Sequence, residues 1–454
     1  MRAVMACLLV LGTSLSPVAW AQDAGNASGA QNPSSAGGGS QVRIVKGDDG
    51  YRMTVDGQPY YVRGAGSASG DLAQLAERGG NSFRTWSTGT DVAKVRTMLD
   101  DAQRNGLTVA MGLAVGKERH GFDYDDEQAV AAQLAALREE VRLYKDHPAV
   151  LMWLVGNELN LEYSNPKVWD AVGQIADMIH EEDPHHPVMT PLAGFDRELI
   201  DRIKARAPSL DLIGVQLYGD IGELPAKLEA ADWTGPYIVT EWGPTGHWES
   251  PLTSWGAPVE DDASRKAQLF QQRYRDTIAA DTRQGLGSYV FLWGNKQERT
   301  PTWYGLFLPT GESTPAVDAM QQLWTGQWPA NRAPSIEAAR IDGRLATDSV
   351  VLAPGGTHEA TAPARDSEGD ALQWRWYALE ESTATTIGGD PEAVPAQVDL
   401  HSRIDADGRL HFTAPGKPGN YRLFVEVRDG HDHAAYANIP FQVQPERGQV
   451  QFKN

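Results

Sequence analysis

The sequence predicts an α/β protein in which a (β/α)8 TIM barrel precedes a C-terminal immunoglobulin-like β-sandwich. Eight short apolar segments with strand-favouring residues alternate with amphipathic helical segments over roughly 270 residues, the pattern of such a barrel. Beyond about residue 335 the helical periodicity ends, and short strands alternate with Gly, Pro and Asp turns, as in a sandwich. A doubly wound open sheet is the alternative to the barrel.

A hairpin begins the barrel region. Arg52–Val55 and Tyr60–Arg63 flank Asp56-Gly57, a pair that favours a tight turn. Strand segments follow at Tyr61–Gly64, Ser82–Trp86, Thr108–Leu113, Val150–Gly156, Pro187–Pro191, Leu212–Tyr218, Tyr237–Trp242 and Ser288–Trp293. Helical segments between them include Asp91–Gln103, Asp125–Tyr144, Pro166–His180 and Ser264–Asp281. Parallel strands arranged in this way all end at one face of the barrel, where active sites lie.

The N-terminus has the pattern of a secretory signal peptide, residues 1–21. Arg2 supplies a positive charge, an apolar stretch runs from Ala3 to Leu15, and Ala19-Trp20-Ala21 forms a small-x-small cleavage site. A membrane anchor is the alternative, but the apolar stretch is short for a bilayer span. The predicted location is therefore secreted or periplasmic.

Three further segments are predicted. Residues 22–41 are rich in Gly, Ser and Ala and are expected to form a disordered linker, with order beginning near Val42. The barrel is expected over 42–327 and the sandwich over 335–445. The sandwich is expected to be an accessory domain that the chemistry does not need, since it offers no carboxylate pair on a barrel scaffold.

Composition restricts the partners. The 454 residues include 60 acidic and 40 basic side chains, which gives a formal net charge of −20. Such a surface repels phosphate backbones and anionic lipid, so neither nucleic-acid binding nor membrane insertion is expected, whereas a neutral poly- or oligosaccharide is compatible. Cys7 is the only cysteine and lies in the signal peptide, so we expect no thiol chemistry in the mature chain. We expect a monomer.

One candidate catalytic group is Glu158. The apolar strand Val150–Gly156 places Asn157 and Glu158 at its carboxyl end, which is the catalytic face of a barrel. A carboxyl group between apolar walls there would have a raised pKa and could act as a general acid. The alternative is that Glu158 only caps the following helix.

A second candidate, Glu241, lies at the end of the apolar strand Tyr237–Trp242. Counted along the barrel, Glu158 closes strand four and Glu241 closes strand seven. Two carboxylates across a barrel mouth can flank one glycosidic bond; a separation of roughly 5 Å favours retention of configuration, and a wider gap favours inversion. The alternative, two unrelated surface glutamates, requires both to reach this face by chance.

These motifs resemble those of glycoside hydrolase clan A. Gly156-Asn157-Glu158 and Thr240-Glu241-Trp242-Gly243 match the clan's Asn-Glu at the end of strand four and Glu at the end of strand seven. The hairpin and Phe83-Arg84-Thr85-Trp86 are most similar to the TIM-barrel domain of family 2, while families 5 and 72 share the clan pattern. The resemblance covers about residues 42–325.

The resemblance implies a retaining β-glycoside hydrolase that acts on a β-linked glycan without a cofactor. Transfer to a second sugar, as in the β-glucanosyltransferases of family 72, stays open beside hydrolysis. A catalytically silent carbohydrate-binding or adhesion protein is the alternative. The implied roles are acid/base for Glu158, nucleophile for Glu241, a bond to the sugar 2-hydroxyl for Asn157, electrostatic support of Glu241 for Arg84, a hydrogen bond to Glu241 for Tyr218, and an apolar floor for Trp293.

Tryptophans are frequent after strands seven and eight. Trp242, Trp248, Trp255 and Trp303 are predicted to line the cleft, where indole rings can stack on sugar faces. Buried core positions are the alternative for each.

No metal site is predicted. The sequence has no His or Cys spacing of a zinc site. Asp366, Glu368 and Asp370 could bind calcium together with Asp429, but an acidic turn without a metal is favoured.

Overall fold

The computed structural model describes residues 39–67 and 70–445. The predicted signal peptide (1–21) lies outside this part of the chain, as does the predicted linker (22–41) except for its last three residues. Among the helices of the described segments, none is long and apolar enough to cross a membrane.

The fold includes Ser40, two residues before the predicted start of the barrel region at Val42. Ser40 is buried, and its hydroxyl group donates a hydrogen bond to the Val150 carbonyl at 2.7 Å and lies 2.9 Å from His186 Nε2. A buried hydroxyl group needs hydrogen-bond partners, and Ser40 finds them on the barrel. These two contacts therefore hold Ser40 against the barrel.

The strands of the barrel region follow the predicted pattern. Three antiparallel strands form the entry hairpin: β1 (Val42–Gly47), β2 (Gly50–Val55) and β3 (Gln58–Tyr60). Eight parallel strands then form a closed barrel: β4 (Val62–Gly66), β5 (Ser82–Arg84), β6 (Thr108–Leu113), β7 (Val150–Val155), β8 (Val188–Ala193), β9 (Leu212–Gln216), β10 (Tyr237–Trp242) and β11 (Gly285–Val290). Each predicted strand segment overlaps one of them, so the barrel prediction is confirmed.

The hairpin covers the amino-terminal end of the barrel. Val42 and Met53 belong to one buried cluster with Leu151, Leu212 and Leu286, which lie at or near the starts of three barrel strands. Apolar burial of this kind stabilises the fold by about 25 cal/mol for each Å² removed from water. The carboxyl-terminal end of the strands is the other face, where a site is expected.

Eight α-helices occur in the described residues: α1 (Leu72–Glu77), α2 (Val92–Arg104), α3 (Glu127–Tyr144), α4 (Lys167–Glu182), α5 (Arg197–Arg206), α6 (Leu224–Ala230), α7 (Ala263–Arg273) and α8 (Pro315–Thr325). Five of them begin after an aspartate whose carboxylate accepts hydrogen bonds from N–H groups of the first turn. These caps are Asp71, Asp91, Asp126, Asp196 and Asp262. Such caps stabilise a helix start by about 1 kcal/mol each.

The C-terminal part is a β-sandwich, as predicted; its immunoglobulin-like class stays a prediction. One sheet has the order β13-β15-β20-β19, a second has the order β14-β22-β21-β17-β18, and β12 pairs with β16. The strands are β12 (Ser335–Ile336), β13 (Arg340–Ile341), β14 (Val351–Leu352), β15 (Thr357–Thr361), β16 (Ala364–Arg365), β17 (Gln373–Glu380), β18 (Gln397–Val398), β19 (Ser402–Ile404), β20 (Leu410–Thr413), β21 (Gly419–Arg428) and β22 (Ala434–Val443).

Buried contacts join the two domains. Ala263 of the barrel helix α7 belongs to the apolar core of the sandwich. The buried Lys266 ammonium group donates to Glu260 Oε1 at 2.6 Å and to the Tyr436 hydroxyl group at 3.2 Å, and Asn438 donates to Glu260 Oε2 at 2.6 Å. A buried charge is stable only with such partners, so each domain completes the other's polar network.

Candidate active site

A cavity of about 1210 Å³ opens at the carboxyl ends of the barrel strands. Its wall takes side chains from the ends of several strands and from the connections that follow them. These include Trp86, Lys117, Asn157, Glu158, Gln216, Tyr218, Glu241, Trp248, Phe291 and Tyr304. Both predicted glutamates therefore face one cavity on the expected side of the barrel.

Glu241 lies in β10 and its carboxylate is held by three donors. Oε1 accepts from Trp86 Nε1 at 2.7 Å and from Arg84 Nη1 at 3.2 Å, and Oε2 accepts from the Tyr218 hydroxyl group at 3.2 Å. The contacts assigned to Arg84 and Tyr218 are thus present. Charge-assisted hydrogen bonds to both oxygens orient the carboxylate and stabilise its negative charge.

Arg84, at the end of β5, is fully buried. Besides Glu241, its guanidinium donates to the Thr240 carbonyl at 3.0 Å and, through Nη2, to Asn157 Oδ1 at 2.6 Å. The guanidinium carbon lies 5.2 Å from the ring centre of Trp86, which packs against it. Arg84 therefore connects the ends of β5, β7 and β10.

Asn157 is oriented by two donors. Its Oδ1 accepts from Arg84 and from Gln216 Nε2, the latter at 2.8 Å. Because both bonds occupy the carbonyl oxygen, the Nδ2 amide group is left to donate to a ligand in the cavity. This orientation agrees with a bond to a sugar hydroxyl group, the role that the resemblance implies.

Glu158 follows β7 in a left-handed backbone conformation, with φ of 53°. Burial, and next the charge of Glu241, raise the pKa of Glu158 from 4.5 to about 7; the cations Lys117, Arg119 and Arg84 act in the opposite direction. The carboxyl group can therefore give up or accept a proton near neutral pH, which suits a general acid that later acts as a base.

Aromatic side chains form one wall of the cavity. The ring of Phe291 contacts Trp86 and Tyr304 edge-on, with 5.7 Å between the centres in each pair. Trp248, which is 59% exposed, packs edge-on against Tyr218 at 5.5 Å. Rings in these positions offer apolar surface to the C–H faces of a sugar.

The structure corrects the role predicted for Trp293. This residue is fully buried and packs against Phe307 and Trp324, while its Nε1 donates to the Asp71 carbonyl at 2.9 Å. Phe291, directly after β11, lines the cavity instead. The prediction of a sugar contact by Trp293 is therefore wrong.

The role predicted for Trp242 is also wrong. Successive side chains of a strand point to opposite faces, so Trp242 turns away from the cavity that its neighbour Glu241 enters. It is fully buried against Phe270 and Tyr274. Of the four tryptophans predicted to line the cleft, only Trp248 does so among the described residues; Trp242, Trp255 and Trp303 do not.

Sequence reasoning assigned no role to several residues of the site, among them Trp86, Gln216 and Lys117. Trp86 and Gln216 lie at or beside strand ends, so the same rule that selected Arg84 and Tyr218 could have found them. Lys117 lies in the connection after β6, and nothing in the local sequence distinguishes it.

The acidic turn of the sandwich is compact. Asp366, Asp370 and Asp429 each place one carboxylate oxygen within 4.8 Å of the others. Asp366 Oδ1 accepts the backbone N–H groups of Glu368, Gly369 and Asp370 at 2.9, 2.7 and 2.9 Å. These bonds explain by turn formation why Asp366 and Asp370 lie together, and Asp429 reaches them from the residue after β21.

Part of the barrel matches the model of a known family. Residues 93–247 match the model of the family 2 glycosyl hydrolases, TIM barrel domain. The predicted resemblance to this domain is confirmed, and the matched segment contains both Glu158 and Glu241. The search of curated proteins finds no match.

Three solved structures are similar to this chain at low sequence identity. A β-D-glucuronidase from Dictyoglomus thermophilum has a TM-score of 0.50 and 16% identity over 64% of this chain and 54% of its own. A β-glucuronidase from Bacteroides uniformis has a TM-score of 0.49 and 14% identity over 89% and 48%. A family 5 mannosidase from Rhizomucor miehei has a TM-score of 0.46 and 15% identity over 62% and 96%. This chain thus spans about half the length of the two glucuronidases.

Proposed function

We propose that this protein is a retaining β-glycoside hydrolase that acts on a β-linked glycan by double displacement. The observation that carries the proposal is the contrast between two carboxyl groups of one cavity. Glu241 is held by three hydrogen-bond donors, whereas burial and the nearby charge raise the pKa of Glu158 to about 7. A pair with such different environments divides into nucleophile and acid/base.

In the first step a Glu241 oxygen attacks the anomeric carbon, and the bond from that carbon to the leaving oxygen breaks. Glu158 gives its proton to the leaving oxygen, which departs as a hydroxyl group. In the second step Glu158 takes a proton from the incoming hydroxyl group, whose oxygen attacks the anomeric carbon and displaces Glu241. Water as the acceptor completes hydrolysis, and a sugar hydroxyl group completes transfer.

Asn157 and the aromatic wall would hold the sugar during these steps. The free Nδ2 of Asn157 is placed to donate to a hydroxyl group of the ring whose bond is cleaved, and Phe291 and Tyr304 offer apolar faces. We further propose that the protein acts outside the cytoplasm, because its N-terminus has the pattern of a signal peptide.

Alanine variants of the two glutamates test the assignment. With Glu158→Ala, an aryl β-glycoside with a good leaving group needs no proton, so the glycosyl-enzyme should form and accumulate. Azide should then accelerate turnover and give the β-glycosyl azide. With Glu241→Ala no glycosyl-enzyme can form, and azide should give only the α-glycosyl azide.

Glu162→Ala is the matched control, since Glu162 lies in the same connection with a similar φ of 52° but is exposed. It should retain wild-type turnover without azide. A fluorosugar label found on the Glu158 peptide would reverse the two roles, and an α-configured first product from the wild type would reject retention. Absence of turnover on any β-glycoside would favour a binding protein.

A further inference from the structure

We propose that a loop of the C-terminal sandwich belongs to the active site and forms the wall that contacts the sugar on the leaving-group side. This sandwich loop is Ala384–Glu392, between β17 and β18. Its residues Ile387–Asp390 line the same cavity as Glu158 and Glu241. The inference rests on the proposed function, and it replaces the expectation that the sandwich is not needed for the chemistry.

The middle of the sandwich loop binds the connection after β6. Asp390 Oδ1 accepts from Arg119 Nη2 at 3.2 Å, and Asp390 Oδ2 lies 3.0 Å from His120 Nε2. The Arg119 side chain is only 4% exposed, so this ion pair is shielded from water more than a surface pair. These contacts hold the sandwich loop in a fixed position in the cavity wall.

Residues on both sides of the middle of the loop bind the connection after β11. Glu392, whose side chain is fully buried, accepts from the Arg299 N–H at 2.7 Å and from Arg299 Nη1 at 2.9 Å. Thr386 donates to the same carboxylate at 2.8 Å, and Lys296 donates to the Gly389 carbonyl at 2.7 Å. In the barrel, β4 and β5 separate β11 from β6, so a loop bound to both connections crosses the mouth.

The loop lies beside the proposed acid. Gly388 has φ of 56°, and a Cβ atom there would lie 2.7 Å from Leu161 Cδ2 and 2.8 Å from Arg119 Nη2. Leu161 is three residues beyond Glu158, and the charge of Arg119 acts on the carboxyl group of Glu158. Because Glu158 protonates the leaving oxygen, groups packed around it face the sugar that departs.

The chemistry of the loop suits a neutral sugar. Gly388 and Gly389 line the cavity and carry no side chains of their own, and the side chain of the adjacent Asp390 is 28% exposed. Carbonyl and carboxylate oxygens accept hydrogen bonds from sugar hydroxyl groups. An aryl leaving group has no hydroxyl groups to use these acceptors, so the two substrate types should respond differently to a damaged loop.

The test compares Gly388→Ala with Gly355→Ala, another sandwich glycine with positive φ (68°) but open space around its Cβ position. The probes are a 4-nitrophenyl β-glycoside and a β-linked tetrasaccharide of the same sugar, chosen from those that the wild type cleaves. In Gly388→Ala, kcat/KM for the tetrasaccharide should fall at least about tenfold further than kcat/KM for the aryl glycoside. Gly355→Ala should leave both values unchanged.

Asp390→Asn provides a second variant that introduces no steric clash, and it should show the same preference for the aryl substrate. Equal losses on both substrates, or no loss on either in folded variants, would overturn the inference. The proposed function fails separately: in that case Glu241→Ala would keep its activity on the aryl glycoside, whatever the loop variants do.

Discussion

Replacing Glu158 by glutamine should stabilise the folded protein in alkaline solution and have little effect on its stability in acid. The reason is that the folded state keeps a carboxyl group where its charge is unfavourable. Burial and the charge of Glu241 raise the pKa of Glu158 from 4.5 to about 7. Glutamine has nearly the same shape and never ionises, so it removes this cost together with the proton-transfer function.

The sign follows from proton binding. The folded protein binds the Glu158 proton more tightly than the unfolded chain does. The contribution of this group to the free energy of unfolding is therefore fully present below pH 4.5 and is lost as the pH rises to about 7. Between 4.5 and 7 the loss reaches about 3 kcal/mol, at 1.36 kcal/mol for each pH unit. With an unfolding entropy of about 2.1 cal/mol/K per residue over about 400 residues, this corresponds to about 4 °C in Tm.

The assay is thermal unfolding of wild type and variant at about pH 4.5, the pKa of the group in the unfolded chain, and at about pH 8.5, above its pKa in the folded protein. The difference in Tm should grow by about 4 °C from the lower to the higher pH. The test depends on the change in the Tm difference between the two pH values. The glutamine amide does not titrate, so any free-energy cost of burying it is the same at both. Glu162→Gln, at an exposed position of the same connection, should show the same small difference at both pH values. A pH-independent difference for Glu158→Gln would refute the reasoning.

Two further predictions concern buried cations. Arg84→Met should lower kcat on aryl β-glycosides by about 10- to 100-fold, since it removes one charge-assisted bond from Glu241, and Arg84→Lys should recover part of the loss; wild-type kcat in Arg84→Met would contradict this role. Lys266→Met should cost about 3–5 kcal/mol in chemical denaturation, because Glu260 would stay buried without its partner. Lys167→Met, at a solvent-exposed ion pair, is the control and should change stability little.

The strand positions were accessible from sequence because each barrel strand is a short apolar segment that must be buried on both faces. The same logic placed Glu158 and Glu241 at strand ends. It failed for Trp242 and Trp293, since the direction of a side chain depends on the local alternation and on the partners behind the strand. Trp293 fills a space between Phe307 and Trp324, two residues that are distant in sequence from the strand.

Contacts between the domains were out of reach of sequence reasoning. Asp390 and Arg119 are separated by 271 positions, and neither lies in a motif that indicates a site. Gly388 and Gly389 look like an ordinary flexible turn in the sequence. Their role becomes visible only when the fold places them against Leu161 and Lys296 at the cavity.

The buried contacts between the barrel and the sandwich also determine which experiments can test whether the sandwich contributes to the active site. A chain ending near residue 330 would expose Ala263 and remove the Tyr436 and Asn438 side chains that complete the Lys266–Glu260 network. Loss of activity in such a truncation would follow from the barrel's own instability, whether or not the sandwich loop touches substrate. Single substitutions in that loop leave this network in place. They alone can separate a contribution to the substrate site from a contribution to folding.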